Sequence, residues 1–423
     1  MKSKKGLRFG ASTLVSVISL LAFGAPAAFA TPDTCTWTGA TDDKFSTATN
    51  WNNCSSAAPV TGDNLVFDNT SLSTTNLLDD ISSGSVVFGD ITFEGTGTSA
   101  FDITPDTGIS LATSGNITDT TTNGVDIDMP VTFSGATPTV STASFMQFGD
   151  VSTPMTMATG ANDITFSITG SAAGAEIDNY EVFTGTGSIT FDNTGDNGTF
   201  VQYAASPAYT GSVHVTGGVI DLFATGTTSP DYFSGSAGIT VDSGATVEFD
   251  NVTAATASVA EALTVAGVGS AQCTSLFTSA TVHCGAVLGN LASGSNLTLA
   301  GPITMTADTQ FNDNDTITIT GALAGTGFKA TNAVGKLVVS ASSNSSGTPN
   351  GTYNATGNLQ GGGGSGNGSG GSGSGSSSTT SAPGTPDTGL GAIVGKPFGV
   401  LAITAAAAGS MLIAAKQLKF VKN

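Results

Sequence analysis

The sequence predicts an all-β solenoid, short strands wound into stacked coils, followed by a disordered Gly/Ser tether and one apolar C-terminal helix. Three observations carry this. Apolar–polar–apolar triplets recur along the body, Gly, Asn, Asp and Ser punctuate the gaps, and helical periodicity is nearly absent. Period-two alternation marks a strand with one buried face, because successive side chains point to opposite sides. The punctuating residues are those that turns favour.

In chain order the triplets begin with Ile91-Thr92-Phe93, Phe101-Asp102-Ile103, Ile109-Ser110-Leu111, Val131-Thr132-Phe133, Ile164-Thr165-Phe166 and Ile189-Thr190-Phe191. They continue with Ile239-Thr240-Val241, Val247-Glu248-Phe249, Leu297-Thr298-Leu299, Ile303-Thr304-Met305 and Ile317-Thr318-Ile319. Only Ala254 to Val265 leaves a helix open. Short, regularly spaced strands suit a sandwich or a solenoid. The body is large for one sandwich, no linker interrupts it, and the monotony of the triplets suits positions that stack into ladders. Coils of ~20–25 residues, each rising ~4.8 Å, would number about a dozen and make a rod of order 60 Å. Phe93, Phe133, Phe166, Phe191 and Phe249 are expected to point inward.

The ends read differently. Lys2, Lys4, Lys5 and Arg8 precede an apolar run from Ala11 to Gly24 and an Ala28-Phe29-Ala30 cleavage motif, so residues 1–30 are expected to be a signal peptide. A transmembrane anchor is the alternative, but the apolar run is short. From about Gln360 the alternation stops, and 361–384 is a Gly/Ser run without a core-forming residue, hence a flexible linker over 359–384. Pro397 to Ala415 carries no charge and matches the thickness of a bilayer. Lys416, Lys419 and Lys422 follow it, which places the tail in the cytoplasm by the positive-inside rule. The expected organisation is a signal over 1–30, a capping segment over 31–64, the solenoid over 65–358, the linker, and an anchoring segment over 385–423.

Between Thr31 and Gly389 only Lys44, Lys329 and Lys336 face all thirty-one acids. Such a field repels nucleic acid and excludes it as a partner. The four cysteines fall as two local pairs, Cys35/Cys54 and Cys273/Cys284. In an exported chain this predicts two short disulfide loops. Zinc is the alternative, with His283 beside Cys284, but no CxxC spacing supports it.

Residues 185–222, GTGSITFDNTG…AYTGSVHVTGGVIDL, resemble the autotransporter-associated β-strand repeat, with Gly185, Gly187, Tyr209, Gly211, Val213, Val215, Gly217 and Gly218 at its pattern positions. Residues 238–250 are similar to its next step, and 316–341 to the start of another unit through Gly321, Gly325, Gly327 and Gly335. The leader that precedes such repeats is matched by Trp37, Gly39, Asn50, Trp51, Pro59, Gly62, Asp63 and Phe67. The resemblance implies a right-handed parallel β-helix passenger. A single helix stands where that family carries an outer-membrane barrel, which implies a one-membrane envelope. Thr385-Pro386-Asp387-Thr388-Gly389 resembles the sortase signal L-P-x-T-G, with Thr in place of the leading Leu. That resemblance implies linkage to peptidoglycan after cleavage; a permanent transmembrane anchor stays open beside it.

Trp37 and Trp51 read as a cap over the first coil, since a coil stack must hide its open end. An exposed aromatic binding platform is the rival. Catalysis is hard to assemble. His214 lies between inward-pointing valines, no G-x-S-x-G context exists, and no arginine stands in the body to hold an anionic sugar. The enzyme alternative is a carbohydrate-active β-helix lyase or hydrolase, which needs clustered carboxylates. Calcium is the one cofactor the acidic turns admit, at Asp42/Asp43, Asp192/Asp196 or Asp313/Asp315. The expected function is therefore a non-enzymatic surface protein, structural or adhesin-like. Its expected partners are the membrane through its C-terminal helix, peptidoglycan through sortase, and a ligand on a host or partner cell.

Overall fold

The structure, a computed structural model, describes residues 32–340 together with 351–353 and 359–360. Outside it lie 56, 71, 73–74, 82–85, 151–154, 171–174, 194–197, 224–231, 252–255, 272–283, 292–295, 314–315, 326–327 and 334. The chain divides into two units, 1–364 and 365–423, and the second lies wholly outside the described residues.

The fold is all-β with parallel strands, and one three-residue 3-10 turn at Ala48–Asn50 is the helical content described. One coil shows how the sequence makes it. Ile164–Ile168 runs along a first face, Glu176–Asn179 along a second and Val182–Gly185 along a third. The chain then returns as Ile189–Asp192, which pairs in parallel with Ile164–Ile168. Among the described residues twelve strands stack this way on the first face, from Thr34–Trp37 to Leu323–Ala324. Among the described residues every ladder is parallel apart from the pairings of Trp51–Asn52, Gly351–Tyr353 and Leu359–Gln360.

Apolar residues at equivalent positions therefore stack inward. Leu65, Ile91, Ile117, Val140, Phe166, Phe191, Val215, Val241, Val265 and Met305 form one continuous ladder. Phe93, Phe133, Phe166, Phe191 and Phe249 are all buried. The rings of Phe166 and Phe191 stack with centroids 5.6 Å apart, one rung above the other.

Turns are held by ladders of their own. Asn64 Oδ1 accepts the Asp90 amide at 2.8 Å, Asp90 Oδ1 the Asn116 amide at 2.8 Å, and Asn116 Oδ1 the Thr139 amide at 2.9 Å. Tyr209, inside the repeat-like stretch, donates its hydroxyl to the carbonyls of Gly187 (2.5 Å) and Ser212 (3.0 Å). Gly211 sits so close to that carbonyl that an added Cβ would stand 1.9 Å from the Gly187 oxygen.

One expectation is corrected and two readings gain detail. Ile109-Ser110-Leu111 is not a strand: the Ile109 amide closes a turn on the Asp106 carbonyl at 3.2 Å, and the strand is Leu111–Thr113. The stretch left open for a helix holds, among its described residues, the strands Thr256–Val259 and Leu263–Gly267. The opening segment is not only a cover, because Thr34–Trp37 is itself the first parallel rung, paired with Asn64–Asp68.

Both ends of the ladder change direction. Trp51–Asn52 pairs antiparallel with Thr36 and Trp37. Lys336–Val339 pairs antiparallel with Gly351–Tyr353, which pairs antiparallel with Leu359–Gln360.

Candidate functional site: an acidic and aromatic strip on the second face

The residues between the inward ones point outward, and the second face differs sharply from the first. Outward positions of the first face carry Thr92, Thr118, Thr165, Thr190, Thr240, Thr264 and Thr304, interrupted by His214. On the second face the register Asp102–Asp126–Gln147–Asp178–Val201–Asp221–Glu248 places five carboxyl groups in one outward row. Asp128, Tyr180, Tyr203, Phe223 and Asp250 lie beside that row, each two residues further along its strand.

The aromatic part is ordered by the rungs. Tyr180 and Tyr203 are parallel, and Phe223 meets Tyr203 at a centroid distance of 5.2 Å. All three are half-buried. Burial, reinforced by Asp178, raises both phenols, that of Tyr180 to about 12.

Among the acids, burial comes first and like charge second. Burial lifts Asp126 to about 8, with Asp128 and Asp102 adding to it, and lifts Asp128 to about 6, with Asp102 and Asp150 adding. Gln147 Nε2 donates to Asp126 Oδ1 at 3.2 Å. Burial also raises Asp102, and it raises Asp221 well above the carboxylate range, with the charges of Glu248 and Asp250 adding to it. Glu181, at the corner where the second face meets the third, is fully buried and is likewise raised well above its ordinary value by burial. No lysine figures among the groups acting on these acids. A face this rich in carboxyls offers acceptors to hydroxyl donors, and its ionised members reject anions.

The residues singled out in the sequence lie elsewhere. Cys35 and Cys54 form a disulfide with Cα atoms 4.7 Å apart. Cys284 is also disulfide-bonded, while Cys273 lies outside the described residues. Trp37 and Trp51 are buried, edge to face at 4.9 Å, and pack with Phe45 and Phe67. Trp51 donates its indole N–H to the Phe45 carbonyl at 2.8 Å. They offer no exposed platform.

Cys35, Cys54 and Asp63 are the one trio among the described residues with ligand atoms within 4.8 Å of one another. The disulfide occupies both sulfurs, and the Asp63 carboxylate takes the amides of Asp33 and Val60, each at 2.9 Å, so the trio is no metal site. Asp42 is spent on its own loop, accepting Lys44 N at 3.0 Å and Asn50 Nδ2 at 2.6 Å. Asp192 and Asp313 are described, but Asp196 and Asp315 are not. His214 pairs with Asp242 at 3.0 Å, on the first face and away from the strip. His283, Thr385 to Gly389 and Pro397 to Ala415 lie outside the described residues, and among those described no helix is long and apolar enough to cross a membrane.

No protein-family model, no curated protein and no solved structure matches this chain. The strip itself was signalled in the sequence by the middle residue of each triplet. Aspartate in Phe101-Asp102-Ile103 and threonine in Ile91-Thr92-Phe93 mark different faces, a distinction visible only once the register is known.

Proposed function

We propose that this protein is a surface-displayed, adhesin-like β-solenoid that offers the Tyr180–Tyr203–Phe223 strip to a neutral glycan. The single observation that carries the reading is that aromatic stack set among Asp178, Asp221 and Asp126. Aromatic faces pack against apolar sugar faces, and carboxylates accept sugar hydroxyls. The coil stack supports a parallel β-helix, and crossovers between parallel strands of one sheet are right-handed in nearly all proteins. In this reading residues 1–30 direct export, the Gly/Ser run over 361–384, beyond the strand Leu359–Gln360, gives reach, and 385–423 anchors the molecule to membrane or wall.

A glycan array probed with the purified full-length chain tests the binding. Retention on neutral glycans that Tyr203→Ala abolishes is the expected result. Absence of binding to every glycan and to intact cells would instead make the protein a passive coat. The enzyme reading draws on the Asp126–Asp128 pair. The body carries no arginine to hold an anionic sugar, so binding is the preferred reading. Release of reducing sugar would reverse that preference.

A further inference from the structure

The chain holds five tyrosines, and two of them are placed to react with each other. Tyr209 is fully buried and gives its hydroxyl to the carbonyls of Gly187 and Ser212, and Tyr232 is 2% exposed. Tyr353 ends the strand Gly351–Tyr353. Tyr180 and Tyr203 stack, and among the described residues theirs is the only contact between two tyrosine rings.

The backbone fixes this pair. The Tyr180 amide donates to the Phe148 carbonyl and the Tyr203 amide to the Asn179 carbonyl, each at 2.9 Å. Each tyrosine therefore continues its rung one residue beyond the register pair Asn179/Gln202. The ladder holds the rings parallel with centroids 4.2 Å apart. Rings so placed touch carbon to carbon at about 3.5–4 Å. Both remain partly open to solvent. Burial keeps both phenols protonated at neutral pH, so an oxidant takes electron and proton together from each. The tyrosyl radical left behind spreads its unpaired electron over the oxygen and the ortho carbons of the ring.

We propose that Tyr180 and Tyr203 are a modification site, joined into dityrosine by hydrogen peroxide acting through a haem peroxidase. The product is a covalent staple between two successive coils. Each phenol gives up one hydrogen atom, and one ortho carbon of each ring forms the new carbon–carbon bond. The hydrogen on each of those carbons then moves to its own oxygen and restores the phenol, while one hydrogen peroxide is reduced to two waters. The rings turn from face to face toward edge to edge as the bond forms, a rotation about χ2, whose well is broad. Contact between the two radicals makes the coupling intramolecular, and the negative charge of the chain holds other copies away. Phe223, whose ring lies 5.2 Å from that of Tyr203, has no phenol and takes no part. Glycan binding plays no role in the step.

The test treats the purified full-length chain, at micromolar concentration, with hydrogen peroxide and a haem peroxidase, and then isolates the monomer. The expected monomer fluoresces as dityrosine, has lost the mass of two hydrogen atoms and melts at a higher temperature. Cleavage after acidic residues, which Glu181 and Asp192 place between the two tyrosines, should release a pair of peptides joined through Tyr180 and Tyr203. Tyr180→Phe and Tyr203→Phe keep both rings and should each abolish the monomer's signal, whereas Tyr353→Phe should leave it unchanged. Circular dichroism verifies that each variant is folded. The proposal is overturned by a monomer without dityrosine, by a cross-link between other tyrosines, or by a signal that survives Tyr203→Phe.

Discussion

Tyr180 and Tyr203 lie face to face on successive rungs, centroids 4.2 Å apart and planes within 5°. Strand spacing in a parallel ladder imposes this separation wherever like aromatics occupy like positions. Replacing Tyr203 by Ala removes the middle of the Tyr180–Tyr203–Phe223 series. The expected loss is about 1 kcal/mol beyond the buried area, read by urea unfolding. Tyr203→Phe should keep both the stability and the glycan retention proposed for the strip.

Stability should rise as the solution is acidified. Asp126, Asp128, Asp221 and Glu181 all have folded values above those of the unfolded chain. Groups of that kind contribute stability that is complete below the unfolded value, about 4, and is lost as pH climbs through the folded value. For the Asp126–Asp128 pair the window runs from about 4 to about 8. In chelator, the melting temperature at pH 5 should exceed that at pH 8, and Asp126→Asn should flatten the slope. A melting temperature that rises across this interval would contradict the assignment.

The disulfide joining Cys35 and Cys54 closes a loop with a sequence separation of 19. Cutting it by Cys35→Ala/Cys54→Ala should cost ~3 kcal/mol. Hydrogen exchange should locate the loosening at Thr34–Trp37 and Trp51–Asn52, with the rungs beyond Ile91 unaffected.

Anchoring is tested at Thr388. If a sortase processes Thr385 to Gly389, mass spectrometry of envelopes finds chains ending at Thr388 and joined to wall material, and Thr388→Ala leaves an unprocessed membrane-bound form. With a permanent membrane helix, that substitution changes nothing and only deletion of 397–423 releases the protein. Full-length chain free in the medium, with 397–415 intact, excludes both.

The fold was legible because one rule, alternate burial, acts on almost every strand. Triplets such as Ile164-Thr165-Phe166 and Ile189-Thr190-Phe191 became register partners. The rule misplaced Ile109-Ser110-Leu111 because a turn hydrogen bond to Asp106 outweighs alternation there. The strip was less legible for a physical reason. Asp102, Asp126, Asp178 and Asp221 are far apart in sequence and look like ordinary solvent-facing residues. Only stacking, fixed by coil length, brings these carboxyls together, and burial raises Asp102, Asp126 and Asp221. Trp37 and Trp51 were conspicuous by rarity, yet they serve the core.

A ladder of identical parallel edges is an invitation to grow, since the last strand of one molecule presents what the first strand of another needs. Here Trp51–Asn52 on the first face at one end and Gly351–Tyr353 on the third face at the other run against their ladders, which disfavours a further parallel rung at those strands. Because each rung adds ~4.8 Å and the stops lie outside the repeating part, duplicating or deleting a coil resets the ruler without disturbing its ends.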